Sequence, residues 1–397
     1  MIPTLSQSPT DPAFVQNPYP FYERARAAGP FFRWAEYDLI CTTSNAAVTA
    51  AFRDRRFGRE IPAALRQPIP DALAPFYAVE AHSMLELEPP RHTRMRSLVL
   101  RAFTSRRINA LAPEIAALCD SLLDAAPDGP FDLLKTYAQP LPVIIIARLL
   151  GVPETMADQL LRWSNAMVAM YMAGRSPEQE QAAAAAAQAF SDFLRGYIDQ
   201  RRAKPADDLI THLIAAEEEG ARLSTDEMIS TCILLLNAGH EATVHSLGNG
   251  VKTLLEHGGL SPPAPLSEVP LPSVVEEILR FDPPLHMFTR YAYDEVDMMG
   301  HRFAPNQQIG LLLAAANRDP ALHEAPNKFQ PTRFAKPHQS FGAGLHFCVG
   351  APLARLEMQI ALDRLRTRLP RLRLPEAPRY ANIYHFHGLE RLMVTPT

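Results

Sequence analysis

The sequence predicts a mainly α-helical fold, one domain over residues 1–397 with a small β-rich region. Three observations carry this. From Pro90 to Phe281, segment after segment reads as helix. Short strand-like runs occur only in the outer parts of the chain. No repeat or flexible linker interrupts it, and 397 residues with 47% hydrophobic content suffice for a large core.

A mixed α/β part is expected over about residues 1–60. Pro18–Ala28 reads as a short helix stopped at Gly29, Phe31–Thr42 as strands, and Ser44–Phe52 as helix. Residues 62–88, rich in proline, alanine and aromatics, read as a long irregular loop. The helical part covers about residues 90–282. Its helices are expected over Arg91–Ala102, Arg107–Ala125, Leu141–Leu150, Glu154–Met172 and Pro177–Arg202. The alanine run Ala182–Ala187 belongs inside the last of these because alanine is the best helix former. Ser224–His257 reads as a long helix, with Ser224 and Glu227 spaced as a capping box. Ser273–Phe281 closes the helical part. A mixed C-terminal part follows, with strands expected over Arg290–Met299, Gln308–Leu313 and Arg391–Val394.

Composition narrows the function. The net charge is −4 and charged residues make up 21%, so nothing favours nucleic acid. No stretch approaches the ~18 apolar residues of a membrane span. The N-terminus has neither the basic nor the apolar region of a signal peptide. Cys41, Cys119, Cys232 and Cys348 are widely spaced, which disfavours a disulfide framework or a zinc site and fits a cytoplasmic location.

The chemistry concentrates in Phe341–Glu357, FGAGLHFCVGAPLARLE. Cys348 sits among Gly342, Gly344 and Gly350, which let the backbone turn sharply and approach something flat. A helix over Ala351–Ile360 follows, with Pro352 near its start. A cysteine at a helix N-terminus meets unpaired N–H groups that stabilise its thiolate, the form that ligates a metal.

The string Phe341, Gly344, His346, Cys348, Gly350 resembles the haem-ligand signature of the cytochrome P-450 family. The likeness extends through nearly the whole chain. Glu277 and Arg280 in VVEEILRF match the family's ExxR pair, and FQPTRF supplies Phe329, Pro331, Arg333 and Phe334. AANRDP, with Asn317, is also family-like. The resemblance implies the family's triangular, mainly α fold, with haem b between the long helix and a loop carrying Cys348 as axial ligand to iron. Glu277, Arg280 and Arg333 would brace that loop. His92, Arg96, Arg290 and His346 would hold the propionates. Ala238, Gly239, Phe341, Gly342 and Gly350 would line the cofactor.

In LLLNAGHEATVHS the family pattern is small-Gly-x-acid-Thr. The acid here is Glu241, but Ala242 stands where the family has its proton-steering threonine, and Thr243 follows one residue later, about 100° around the helix. Proton delivery is therefore expected to use Glu241 with Thr243, water or a substrate hydroxyl. His240 and His245 are expected to pack or meet solvent. By position, Leu234, Asn237, Ala238, His286, Met287, Phe288, Tyr384, His385, Phe386 and part of Phe76–Met84 would meet the substrate, with Met167–Met172 as a lid. Arg96, Arg101, Arg106, Arg107, Arg355, Arg364 and Arg366 would offer a basic face to an acidic ferredoxin.

The expected function is a haem-thiolate monooxygenase that oxidises a small, mainly apolar molecule with O2. No GxGxxG follows a strand, so its two electrons would come from NAD(P)H through a ferredoxin reductase and ferredoxin. Two alternatives stand beside this: a peroxide-driven haem enzyme, prompted by Ala242, and a non-catalytic haem-binding sensor or recruitment protein.

Overall fold

Helices dominate the structure, a computed structural model that describes residues 2–172, 174–216, 220–259, 268–333, 336–384 and 386–396. The chain divides into two compact units. The first comprises Met1–Gly58, Ile115–Ala138 and Ala242–Thr397; the second comprises Arg59–Glu114 and Gln139–Glu241. The boundary falls within the long helix Thr225–Glu256.

The first unit contains a six-stranded sheet. Its order is Thr4–Leu5, Phe32–Trp34, Leu39–Thr42, Gln308–Leu312, Met287–Ala292, Phe57–Gly58. Leu39–Thr42 runs parallel to Gln308–Leu312, which pairs antiparallel with Met287–Ala292 and places Arg290 opposite Ile309. One core forms around Phe52, Phe57, Phe303, Ile309 and Leu311. A second gathers Phe14, Phe21, Tyr22, Phe32 and Trp34. The helix Asn45–Arg53 starts at Ser44, whose hydroxyl accepts from the N–H of Ala47. The long helix comes close to Leu271–Phe281 because a β-carbon on Gly250 would sit only 2.9 Å from Ile278.

The second unit is helical. Arg91–Ala102 has the expected limits. Pro177–Ala203 carries a full capping box between Ser176 and Gln179, and buries one face of the alanine run through Ala183, Ala184, Ala186 and Ala187. Phe190 on the same helix stacks on Trp163 at 5.1 Å. The expected box at the start of the long helix is present: the Ser224 N–H donates to Glu227 Oε2 at 2.9 Å, and the Glu227 N–H donates to Ser224 Oγ at 3.2 Å.

Several local expectations need correction. Residues 62–88 are not all irregular: Ala74–Glu80 is a helix with Phe76 and Val79 buried. The stretch 107–125 holds two helices, Ser105–Ala110 and Ala112–Asp124, because Pro113 opens a new first turn. Glu154–Met172 is helical only over Ala157–Val168, with tighter turns at each end. Leu209–Ala215 is a helix that the sequence reading passes over, capped by Asp208. The single strand expected over 290–299 is two, Met287–Ala292 and Val296–Met298. The segment 391–394 divides between Leu389–Arg391 and Met393–Val394, which belong to different sheets. The helix after the cysteine runs on to Arg368. No described helix is long and apolar enough to cross a membrane.

Candidate active site

Glu277 and Arg280 lie on the helix Leu271–Phe281, both almost fully buried. An exposed i, i+3 pair contributes little; this one is a buried network. Arg280 donates from Nε and Nη2 to the Glu277 carboxylate at 2.7 and 2.8 Å. Arg333 Nε donates to Glu277 Oε1 at 3.0 Å, and the Gln330 N–H donates to the same oxygen at 2.7 Å. The remaining Arg280 hydrogens reach the carbonyls of Asn317, Pro326 and Lys328.

Asn317 passes this order to the cysteine loop. Its Oδ1 accepts from the Gln339 N–H at 2.6 Å and its Nδ2 donates to Ser340 Oγ at 2.8 Å. Ser340 Oγ donates to the Leu279 carbonyl at 2.6 Å. Glu276, beside Glu277, makes a second brace. It accepts from Arg355 Nε and Nη2 at 2.6 and 3.0 Å and meets His338 Nε2 at 3.2 Å. Partial burial alone would raise its carboxyl, but the bonds from His338 and Arg355 outweigh burial and hold it at about 2. Arg355 also lies over the Phe341 ring at 4.5 Å. Sequence reasoning left Glu276 and His338 unassigned, since adjacent acids do not show which is buried.

The loop turns through Gly342 at φ +66° and Gly344 at φ +70°. A β-carbon on Gly344 would lie 2.1 Å from the Phe52 carbonyl oxygen, so only glycine fits there. Gly350 needs a different account from the one expected. Its φ of −77° is ordinary, and it serves as the N-cap of Ala351–Arg368. The nearest atom to its β-position is Cys348 Sγ, at 3.8 Å. The Cys348 N–H donates to the Phe341 carbonyl at 3.0 Å, closing the loop.

Cys348 is half-buried, whereas Cys41, Cys119 and Cys232 are sealed in the core. Burial pushes the Cys119 thiol up to about 11 and the Cys232 thiol up to about 12, and raises Cys41 further. Those three are structural. A single accessible thiol without a companion cysteine cannot form a tetrathiolate site. It fits a haem iron, which would need one protein thiolate because the porphyrin supplies its other ligands. The unencumbered flank at Gly350 also fits a group packed against the sulfur.

The other candidate residues divide between the units. Arg290, Ala242, Thr243, His346, Phe341 and Cys348 belong to the first; His92, Arg96, Leu234, Asn237, Ala238, Gly239 and Glu241 belong to the second. Arg290 is buried, with its guanidinium 4.8 Å over the Phe52 ring. His346 ends the short turn Gly344–His346. Thr243 and His92 are buried; Arg96, Glu241 and Ala242 are half-buried; Ala238 is exposed. Asn237 is buried with Nδ2 3.9 Å from Met167 Sδ. At Gly239, Ile146 Cδ1 lies 2.9 Å from where a β-carbon would stand.

His286 is withdrawn as a substrate contact. It is fully buried among aromatic rings, and its Nδ1 meets the Tyr22 hydroxyl at 2.9 Å. Burial, then His387, holds it well below the ordinary histidine range. Tyr384 shares that cluster through the Tyr22 hydroxyl. Phe288 stays half-buried in its strand, and Phe386 packs on His245 at 5.8 Å. His385 and Phe334 lie outside the described residues. Arg355, Arg364 and Arg366, expected on a basic face, are paired with Glu276, Asp120 and Asp363.

The chain is mainly helical and carries one half-buried thiol on a braced glycine loop. Comparisons with known proteins identify its family. The family model described as Cytochrome P-450 matches residues 267–368. The cytochrome P-450 monooxygenase PikC of Streptomyces venezuelae is 36% identical over 387 residues, 95% of this chain and 89% of that one. Vitamin D(3) 25-hydroxylase of Pseudonocardia autotrophica is 38% identical over 393 residues, 96% and 94% of the two chains. The structure of P-450 BioI in complex with an acyl carrier protein ligated to hexadec-9Z-enoic acid matches with a TM-score of 0.90 at 33% identity, covering 97% of this chain and 99% of that one. The chain belongs to the cytochrome P-450 family and is a monooxygenase with the family's mainly α fold, and the family implies a haem cofactor.

Proposed function

We propose that residues 1–397 act as one haem-thiolate domain that hydroxylates or otherwise oxidises a small, mainly apolar organic molecule, with Cys348 as the residue that would hold the iron of haem b. The observation that carries this reading is the half-buried Cys348 on a loop held by two buried or part-buried ion-pair braces. When bound, the haem supplies the oxygen-activating chemistry, and a thiolate ligand favours O–O cleavage. The chain's own residues do the rest. Glu277, Arg280, Arg333 and Asn317 fix the loop, so the sulfur keeps one position. His346, Arg290, His92 and Arg96 are the cations assigned to the propionates, on the family resemblance. Glu241 and Thr243 hold and pass protons, in place of the threonine that Ala242 replaces.

Leu234, Asn237, Phe288, Phe386 and His385 are the proposed substrate contacts, with Asn237 now the main polar handle. Two of the proteins named above, by their names, act on vitamin D(3) or are complexed with a carrier protein bearing a hexadecenoic chain, both largely hydrocarbon, which supports an apolar substrate. We assign the electrons to NAD(P)H through a ferredoxin reductase and ferredoxin. Action in the cytoplasm fits the absence of any disulfide among the described residues.

The test is spectroscopic. Reduced protein with carbon monoxide should show the red-shifted Soret band of a thiolate-ligated haem, and Cys348→Ala should abolish it. A band that survives the substitution refutes the ligand assignment. Ala242 favours a second reading, peroxide-driven oxygenation. Turnover with hydrogen peroxide alone, and none with NADH and redox partners, would select it.

A further inference from the structure

We propose that Asp282, His286 and His387 bind a divalent first-row transition-metal ion, zinc foremost, at a buried site of their own. Each side chain offers one ligand atom, and these atoms lie within 4.8 Å of one another. All three residues are buried, at 4%, 0% and 6% exposure. His387 Nε2 stands 3.7 Å from Asp282 Oδ1. That is too long for a hydrogen bond and close to the ~3.4 Å between two ligands on a tetrahedral ion with bonds of about 2.1 Å. The widest pair needs to close by at most about 1.4 Å to match.

Two buried atoms at this cluster point to a ligand. Asp282 Oδ1 and His286 Nε2 have no hydrogen-bond partner among the described residues. An ion held by all three side chains would satisfy both atoms at once. The surroundings orient the ligands as metal sites do. The Tyr380 hydroxyl donates to Asp282 Oδ2, which leaves Oδ1 to face His387. The Tyr22 hydroxyl lies 2.9 Å from His286 Nδ1 and 2.9 Å from the Tyr384 hydroxyl. With the His286 proton on Nδ1, the Nε2 lone pair is left for the metal. Tyr380 stacks on the His387 ring at 3.8 Å.

Two imidazoles and one carboxylate suit zinc, cobalt, nickel or ferrous iron, not the oxygen-seeking calcium or magnesium. The ion would clamp the segment after the helix Leu271–Phe281 to the C-terminal turn. Asn249 already ties the two, donating to the carbonyls of Asp282 at 3.3 Å and His387 at 2.8 Å.

The test uses the full-length protein as purified, incubated with zinc chloride and passed through a desalting column containing a weak chelator. Elemental analysis should find about one zinc retained per chain, and zinc should raise Tm. Asp282→Asn and His387→Gln should each lose both effects while keeping the far-UV circular dichroism of the parent. X-ray absorption at the zinc edge of the parent protein needs no variant, and should show only nitrogen and oxygen neighbours. No zinc retained by the parent, equal zinc retained by both folded variants, or a sulfur neighbour would each overturn the proposal. None of these readouts depends on haem or on turnover, so failure here is distinguishable from failure of the oxygenase reading.

Discussion

Replacing Glu277 by alanine is expected to destabilise the protein by about 3–5 kcal/mol, the usual effect of breaking a buried ion pair by removing one partner. The carboxylate accepts four hydrogen bonds, two from Arg280, one from Arg333 and one from the Gln330 backbone. Adding these at roughly 1.5–3 kcal/mol each overshoots, because bonds to one group are not additive. The pair-removal figure is the better guide, since Glu277→Ala leaves two guanidiniums, 2% and 11% exposed, without their shared counter-charge. The adjacent Glu276 provides an internal control. Its pair with Arg355 is about one-third exposed, so Glu276→Ala should change stability by about 1 kcal/mol or less. Urea unfolding followed by far-UV circular dichroism measures both. The disruption should also reach the loop through Asn317 and Gln339, weakening the thiolate band of the carbon monoxide complex. If Glu277→Ala destabilises no more than Glu276→Ala, the buried-network argument is wrong.

Two further changes probe the loop and the helix behind it. Gly344→Ala places a β-carbon against the Phe52 carbonyl at a left-handed φ, and should destabilise by more than about 1 kcal/mol and lose the thiolate band; a variant with parental Tm and band would contradict this. Burial pushes the Glu357 carboxyl up to about 8, so the native state keeps its proton to higher pH than the unfolded chain, whose carboxyl ionises near ~4.3. Its contribution is present below that lower value and is lost as pH rises through 8. Tm measured from pH 5 to 9 should fall less steeply in Glu357→Gln than in the parent, and parallel curves would remove Glu357 from the account.

Local signals are legible where a single turn of chain contains both partners. The limits of Arg91–Ala102 and the Ser224–Glu227 box follow from neighbours three or four residues apart, which sequence displays directly. Leu209–Ala215 also carried its signal, Asp208 as a cap, but seven residues make too short a pattern to stand out. Pro113 marked a helix start that the apolar pattern of 107–125 concealed.

Family, fold class and the thiol loop were all legible in the sequence, because the glycines, the cysteine and the ion-pair motif are short strings with few other uses. Burial was not. Tertiary structure decided that Glu277 is sealed while Glu276 is half open, since that depends on Arg333 and Arg355, 56 and 79 residues away. It moved His286 from an expected substrate contact into a buried cluster with Tyr22 and His387, which come from opposite ends of the chain. It gave Gly239 a neighbour in Ile146 and Gly350 one in Cys348. A side chain's environment is the sum of contacts brought together by folding, and most of those partners are too distant in sequence for spacing to reveal.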